Sequence, residues 1–237
     1  MKAFFSWSSG KDAALALHQL QTENQIEVSQ LITTVNRHYE RVSMHGLRNV
    51  LLEQQAAAIG IPLTMIELPE EPSMEVYDEI MNKQLARMKE EGFKKCVFGD
   101  IFLEDLRSYR ENQLKAFGIS AHFPLWKRDT KTLIKTFIDL GFKAITVCVK
   151  SELLDESFVG REINEQFVRD LPDQVDPCGE NGEFHTFCYD GPIFQQAIPF
   201  EVGEKVFRSY RSPKKEEEQT NEKSMGFWFV DLLPKTS

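Results

Sequence analysis

Short apolar runs alternate with amphipathic stretches along the first half of the chain. Five runs have the length and the β-branched or aromatic content of buried strands: Lys2–Trp7, Gln30–Val35, Pro62–Leu68, Lys95–Phe98 and Ile119–Phe123. Four stretches between them carry apolar residues at helical spacing: Asp12–Leu20, Leu47–Ile59, Val76–Glu91 and Asp105–Phe117. This order predicts an α/β fold with a parallel sheet and helices on both faces. Ligands of such sheets bind at the carboxyl ends of the strands.

The regular alternation ends at Pro124, and we place a domain boundary there, giving domains 1–123 and 124–237. The second part mixes two predicted helices with four predicted strands: Thr130–Leu140, Gly160–Leu171, Ala144–Val149, Glu183–Tyr189, Lys205–Ser209 and Gly226–Leu232. The charged stretch Pro213–Lys223 predicts a loop. The mixed order predicts a smaller C-terminal α+β domain.

Composition narrows the class of protein. The chain has 237 residues, 41% of them hydrophobic, and a net charge of −9. No apolar run approaches the roughly 20 residues of a membrane span, so we expect a soluble, cytoplasmic protein. The acidic balance disfavours a nucleic-acid partner. The four cysteines form no CxxC pair and are expected to be reduced, although Cys178, Cys188 and His185 form a weak metal-like pattern.

A candidate anion-binding loop follows the first predicted strand and opens the first predicted helix. Its sequence is Ser8, Ser9, Gly10, Lys11, Asp12 and Ala13. Small residues let backbone N–H groups turn toward an anion, and the helix N-terminus adds partial positive charge. Lys11 is expected beside phosphate groups, while Asp12 either caps the helix or holds pyrophosphate through Mg²⁺. The loop is not a Walker A motif, because Phe5 and Asp12 occupy positions that need glycine and a hydroxyl residue.

A second stretch, Asp176–Pro192, combines glycines, acids and aromatic residues. At a period of two, one face of its predicted strand holds Glu183, His185, Phe187 and Tyr189. Core packing is the simpler explanation of the aromatic residues. The acids Glu180, Glu183 and Asp190, placed among glycines before a Gly-Pro turn, favour a ligand site over a solvated loop.

Both stretches resemble known motifs. Ser8–Ala13 resembles the SGGxDS signature of the PP-loop ATP pyrophosphatases, and Gly179–Thr186 resembles the GE-x-GE-[FY]-x-T signature of the diphthine–ammonia ligase family, the diphthamide synthase domain. Met44–Gly46, Gly99–Ile101 and Pro124–Trp126 follow in the same family's order, so the resemblance covers nearly the whole chain. It implies an adenine-nucleotide α-hydrolase-like (HUP/PP-loop) sheet that binds ATP, followed by a domain that binds the acceptor.

The resemblance also implies an activity, that of an ATP-dependent carbon–nitrogen ligase. In the family's reaction the carboxyl group of diphthine, a modified histidine on translation elongation factor 2, is adenylated with release of pyrophosphate. Ammonia then displaces AMP and leaves an amide. The implied cofactors are ATP and Mg²⁺. The implied partners are ammonium and elongation factor 2 or another carboxylate acceptor, and a homodimer is allowed.

The implied site has nucleotide, catalytic and acceptor groups. Besides the loop itself, the nucleotide group contains His45, Gly99 and Asp100, with Asp12 or Asp100 holding Mg²⁺. The catalytic group is Lys11, Asp12, Glu183 and His185. The acceptor group is Glu180, Asn181, Glu183, Phe187, Tyr189 and Asp190, whose acidic and aromatic side chains would attract the quaternary ammonium of diphthine. His185 is either a general base or a structural, hydrogen-bonded histidine. His45 either approaches the nucleotide or has a packing role.

The chain departs from the signatures at four positions. Ser9 replaces a glycine, Ala13 a serine, Asn181 a glycine and His185 an acid. The loss of an acid at His185 makes an acceptor other than diphthine an open alternative. Two further readings stay open: a PP-loop enzyme that modifies tRNA, and a nucleotide-binding protein without turnover.

Overall fold

Two β-sheets organise the chain in the computed structural model, which describes residues 2–43, 46–211 and 224–235. The strands of these ranges are β1 (Lys2–Ser6), β2 (Glu27–Asn36), β3 (Arg41–Val42), β4 (Leu63–Leu68), β5 (Lys95–Val97), β6 (Ser120–His122), β7 (Lys143–Lys150), β8 (Phe184–Asp190), β9 (Phe200–Arg211) and β10 (Ser224–Pro234). The α-helices are α1 (Lys11–Glu23), α2 (Asn49–Ile59), α3 (Met74–Glu90), α4 (Glu104–Lys115), α5 (Thr130–Asp139) and α6 (Glu165–Asp170).

The first sheet is parallel except at one end. Its parallel strands lie in the order β4-β2-β1-β5-β6, and the short β3 pairs antiparallel with the end of β2. The chain therefore adds strands on one side of β1 and then crosses to the other side at β5. This reversal creates a crevice at the carboxyl ends of β1 and β5, which is where ligands bind in sheets of this kind.

Helices cover both faces of this sheet, as the apolar pattern predicted. Buried residues of α1 and α2 pack with Phe5, Trp7 and Leu31 on one face. Buried residues of α3 and α4 pack with Phe4 and Ile32 on the other face. Side chains of successive strand residues point to opposite faces, so each face receives every second residue of β1. The predicted α/β class is confirmed.

The second sheet is antiparallel, with strand order β8-β7-β10-β9, so that β8 and β9 form its edges. The core around α1 and α2 continues into this sheet through Val147, Phe184 and Phe187. Asp231 of β10 also accepts hydrogen bonds from Arg48 (2.6 Å, Nη2 to Oδ2) and Arg41 (2.9 Å, Nη1 to Oδ1) of the first half. The two halves therefore share a hydrophobic core and an ionic clamp, and the boundary at 123/124 stays a prediction.

One predicted helix is mostly wrong. The stretch Gly160–Leu171 is helical only over Glu165–Asp170. Its first residues run beside β7 instead, because Thr146 donates its backbone N–H to the Arg161 carbonyl (2.9 Å) and Ile163 donates to the Ala144 carbonyl (2.8 Å). The predicted loop Pro213–Lys223 lies outside the described residues. Within the parts that are described, every helix is too short or too polar to cross a bilayer.

Candidate active site

The loop Ser8–Ala13 joins β1 to α1 at the carboxyl edge of the first sheet. Ser9 has a left-handed backbone conformation with φ of 66°. Its carbonyl accepts two hydrogen bonds, from the Cys188 backbone N–H (3.0 Å) and from Gln55 Nε2 (2.9 Å). Because C=O and N–H point in opposite directions across a trans peptide, this carbonyl turns the N–H of Gly10 away from the second sheet. Contacts with β8 thereby set the orientation of the loop.

Gln55 of α2 connects three parts of this site, although no motif in the sequence distinguishes it from other polar residues on a helix. The side chain is completely buried. Its Oε1 accepts from Trp7 Nε1 (2.7 Å), while its Nε2 donates to the carbonyls of Ser9 (2.9 Å) and Cys188 (2.6 Å). The end of β1, the loop and the edge of β8 are therefore held by one amide group.

The Lys11 side chain lies in the interface between the two sheets. Its ammonium group donates to Asp12 Oδ2 (2.7 Å) and to the carbonyl of Cys178, and lies 5.2 Å from the centre of the Phe184 ring. Its backbone N–H donates to Thr186 Oγ1 (3.0 Å). Burial lowers the pKa of Lys11, but the charge and hydrogen bond of Asp12, together with the charges of Cys178 and Glu180, outweigh burial, so that the pKa is raised and the side chain is cationic.

Gly99 lets the end of β5 approach the loop. A Cβ at this position would lie 2.9 Å from the backbone nitrogen of Ala13 and 3.1 Å from its Cα. The next residue, Asp100, forms an ion pair with Arg110 of α4, with 2.9 Å between Oδ2 and Nε. Burial raises the pKa of Asp100, and Arg110 opposes this. Asp100 thus lies beside the loop but is already paired.

A cavity of about 250 Å³ opens at the same edge of the first sheet. Ser8 of the loop lines it together with residues that sequence reasoning did not single out, including Ser6, Thr33, Thr34, Tyr77, Tyr109, Arg110 and Gln113. Arg110 is the charged residue of this lining. These residues come from β1, β2, α3 and α4, which the strand order brings together. An apolar pocket with a few polar groups at this edge suits a nucleoside.

The turn Asp176–Glu183 is held by its own carboxylates. Glu183 is buried and accepts from the backbone N–H groups of Asp176 (3.1 Å) and Asn181 (2.8 Å) and from Asn181 Nδ2 (3.0 Å). Asp176 Oδ1 accepts from the N–H of Cys178 (2.9 Å). Gly179 has φ of 70°, and a Cβ there would lie 2.9 Å from the Phe184 carbonyl. Glu183 therefore shapes the turn.

Glu180 connects this turn to the first sheet. Its Oε1 accepts from the backbone N–H groups of Ile101 (2.7 Å) and Phe102 (3.2 Å), which follow β5. Burial raises the pKa of Glu180 to about 7; the two N–H groups lower it, and the charges of Asp12 and Asp100 raise it further. Glu180 thus joins the two signature segments and sits near the point of half-ionisation at neutral pH.

The two faces of β8 have different surroundings. Thr186 contacts the loop, so the next side chain, Phe187, lies on the opposite face. There Phe187 and Tyr189 pack on Phe200, with ring centres 5.9 and 5.1 Å away, and Tyr189 Oη donates to Glu162 (2.6 Å). The structure does not bring Phe187 and Tyr189 together with the loop, and it does bring Glu180 there.

The remaining predicted residues are spread around this site. Burial, helped by Lys11, lowers the pKa of His185 to about 4, so its imidazole is neutral at pH 7. Asp190 forms an ion pair with Lys143, at 3.2 Å between Oδ2 and Nζ. Asn181 is exposed. His45 lies outside the described residues.

Mg²⁺ fits this site only together with phosphate. Among the described residues, no group of three or more His, Cys, Asp or Glu side chains is arranged to hold a metal ion. Mg²⁺ commonly binds through one or two carboxylates plus phosphate oxygens and water. Both candidate carboxylates already form ion pairs, Asp12 with Lys11 (2.7 Å) and Asp100 with Arg110 (2.9 Å), and Asp12 differs from Asp100 in lying within the loop itself.

Comparison with known proteins decides the family. Residues 1–121 match the family model described as diphthamide synthase N-terminal domain, and residues 129–218 match the diphthamide synthase C-terminal domain. The chain belongs to the diphthamide synthase family. This confirms the predicted family.

Named relatives of this diphthamide synthase family member are ligases. The chain is 28% identical to the diphthine–ammonia ligase of Danio rerio over 65% of this chain and 66% of that protein. It is 27% identical to the diphthine–ammonia ligase of Mus musculus over 79% of this chain and 73% of that protein. The matches thus span about two thirds to three quarters of these relatives. Their shared name confirms the predicted enzyme class, a ligase.

One solved structure gives a weaker likeness. The U34-tRNA thiolase NcsA from Methanococcus maripaludis with its [4Fe-4S] cluster superposes with a TM-score of 0.37 at 18% identity, over 60% of this chain and 58% of that chain.

Proposed function

We propose that this protein is an ATP-dependent amide ligase, which adenylates a substrate carboxylate and transfers ammonia to it with release of AMP and pyrophosphate. The observation that carries the proposal is the direct contact between the two signature segments. Lys11 N–H donates to Thr186 Oγ1 and Cys188 N–H donates to the Ser9 carbonyl, so residues about 175 positions apart form one site. That site lies at the crevice where this fold binds ligands.

Each part of the site has a place in this chemistry. The cavity beside Ser8 takes the nucleoside, and the start of α1 attracts its phosphates. A carboxylate is a poor acyl donor, and the adenylate gives it a good leaving group. Mg²⁺, when bound with ATP through Asp12, neutralises charge on the pyrophosphate. Lys11 holds the turn Asp176–Glu183 against the loop, and its cationic charge lies in the same interface.

The acceptor would approach from the side of the turn Asp176–Glu183. Asn181 is exposed there, and Glu180 lies between the turn and the end of β5. Phe187 and Tyr189 face the other way and contribute packing to the second sheet. A neutral His185 can accept a proton, but a pKa of about 4 makes it a weak base, which favours a positioning role.

The cysteines weigh against a tRNA enzyme that carries sulfur on a thiolate. All four are buried, and burial raises the pKa of each thiol, to about 12 at Cys148. A thiol that resists ionisation is a poor nucleophile. A nucleotide-binding protein without turnover remains the competing reading, and it predicts ATP binding without pyrophosphate release.

The test is release of AMP and pyrophosphate from ATP with Mg²⁺ and ammonium, with and without elongation factor 2 that carries diphthine. We expect release that depends on the acceptor and on ammonium. Lys11→Met should abolish release, because it removes the buried ammonium that joins loop and turn. Lys135→Met is the matched control, since Lys135 is 74% exposed on α5 and pairs with Asp139 of its own helix.

The outcomes separate the readings. Release with another carboxylate but not with diphthine would keep the ligase and change its acceptor. ATP binding without release under any acceptor would favour the protein without turnover. Equal release by the Lys11→Met and Lys135→Met variants would contradict the assignment of the loop.

A further inference from the structure

Arg107 of α4 lies over two aromatic rings. Its guanidinium carbon is 4.6 Å from the centre of the Trp126 ring and 5.2 Å from the centre of the Phe123 ring. Distances in this range are those of cation–π contacts, which a planar guanidinium group forms readily. One of these rings belongs to Pro124–Trp126, a motif of the sequence to which the proposed function gives no task. The rings restrict the orientation of Arg107, so that its donors point in a limited set of directions.

Most donors of this guanidinium group are unused. Nε of Arg107 donates to Glu111 Oε1 (2.7 Å), one turn later on the same helix, and the Arg107 side chain is 33% exposed. Its terminal nitrogens, Nη1 and Nη2, donate to no residue in the ranges that the structure describes. Two other acids of this region, Asp100 and Glu104, already form ion pairs with other cations. The terminal nitrogens are therefore available to an anion from outside the chain.

Arg107 is connected to the side of the site from which the acceptor would approach. The aromatic motif under Arg107 is fixed to the end of β5, because Lys127 donates its backbone N–H to the Ile101 carbonyl (2.7 Å). The N–H of the same Ile101 donates to Glu180 of the turn Asp176–Glu183 (2.7 Å). Arg110, one turn further along α4, lines the nucleoside cavity. Helix α4 therefore carries one arginine at the nucleoside cavity and another beside the motif that contacts Ile101.

We propose that the terminal nitrogens of Arg107 bind the carboxyl group of the acceptor and position it for adenylation. The inference rests on the proposed function and deepens it, since it names the residue that recognises the reacting group. A guanidinium group can bind both oxygens of a carboxylate, and its charge offsets the repulsion between that carboxylate and the phosphates of ATP. One carboxylate oxygen then bonds to the α-phosphorus, while the bond from this phosphorus to the oxygen that bridges to the β-phosphate breaks and pyrophosphate leaves with the electron pair. Arg107 stays protonated throughout.

The test compares Arg107→Met with two controls. Arg107→Met removes the donors and keeps an apolar side chain beside the two rings. Glu111→Gln removes the ion pair within α4 and leaves the guanidinium group in place. Arg87→Met removes a similar pair on α3, in which Nε lies 2.8 Å from Glu91 Oε1. Pyrophosphate release is measured against the concentration of elongation factor 2 that carries diphthine and against that of ATP. ATP binding and thermal unfolding are recorded for each protein.

We expect Arg107→Met to raise the acceptor concentration for half-maximal release about 10- to 100-fold, the effect of losing hydrogen bonds between charged groups. ATP binding should not change, because the loop and the nucleoside cavity are unaltered. Arg107→Lys should restore little of the loss, since an ammonium group keeps the charge but lacks the planar fork. Both controls should use the acceptor normally, and all variants should melt close to the unaltered protein.

Each other outcome counts against the inference. Normal acceptor use by Arg107→Met would overturn it while leaving the proposed function in place. An equal loss in Glu111→Gln would assign the effect to the ion pair within α4, and weaker ATP binding by Arg107→Met would assign Arg107 to the nucleotide; both would overturn the inference. No release by the unaltered protein would remove the proposed function and this inference together.

Discussion

Glu180 should give the protein a stability that falls as pH rises through neutrality. In the folded protein its pKa is about 7, against an ordinary value of 4.5. The folded state therefore binds more protons than the unfolded state between these two pH values, and stability must decrease with rising pH across that window. Glu180→Gln removes this dependence while its amide oxygen can still accept from the N–H groups of Ile101 and Phe102.

The size of the effect follows from the pKa difference of about 2.5. Each pH unit corresponds to about 1.4 kcal/mol, so the upper limit is about 3 kcal/mol at pH 8, where the carboxylate is fully ionised. For a chain of this length that corresponds to a melting temperature about 6 to 12 °C higher for Glu180→Gln than for the unaltered protein. Near pH 4 the two proteins should melt together.

The assay is thermal unfolding from pH 4 to pH 8 in buffers of constant ionic strength. Glu53→Gln is the control, because Glu53 is exposed on α2 and its replacement should not change the slope. His185→Asn should act in the opposite direction: its pKa of about 4 makes the folded state lose stability as pH falls from about 6.5 to 4, and the variant should be spared that loss. If the melting temperatures of Glu180→Gln and the unaltered protein changed equally with pH, the reasoning would be refuted.

Two further predictions concern a contact beside the loop and an ion pair between the two halves. Gly99→Ala places a Cβ 2.9 Å from the Ala13 backbone nitrogen and should lower the free energy of unfolding by about 1 to 3 kcal/mol, measured by urea denaturation. The affinity for ATP should fall as well. Unchanged stability would mean that the loop and the end of β5 separate easily. Asp231→Asn leaves Arg41 and Arg48 without their carboxylate and should cost about 1 kcal/mol, less at high salt. A loss that salt leaves unchanged would argue against a charge effect.

The sequence predicted most elements because their causes are local. The helix that ends before Gly60 was placed within two residues, since Gly60 takes the left-handed conformation that closes a helix. The five parallel strands were visible as short apolar runs. The helix expected at Gly160–Leu171 failed for the opposite reason, because its first residues bond to β7, a partner that no local pattern reveals.

The loop Ser8–Ala13 and the turn Asp176–Glu183 were also recognisable from sequence, since each motif is continuous and its glycines and acids stand at fixed spacing. By itself, then, the sequence determined the fold class and the family, and it predicted the two segments of the candidate site. Only the tertiary structure decided what each side chain contacts. Lys11 donates to the Cys178 carbonyl, and Glu180 accepts from the N–H groups that follow β5. Phe187 packs on Phe200, on the face of β8 that points away from the loop. Those contacts arise where the edge of the second sheet packs against the first. Contacts between residues so far apart along the chain produce no periodic pattern in the sequence.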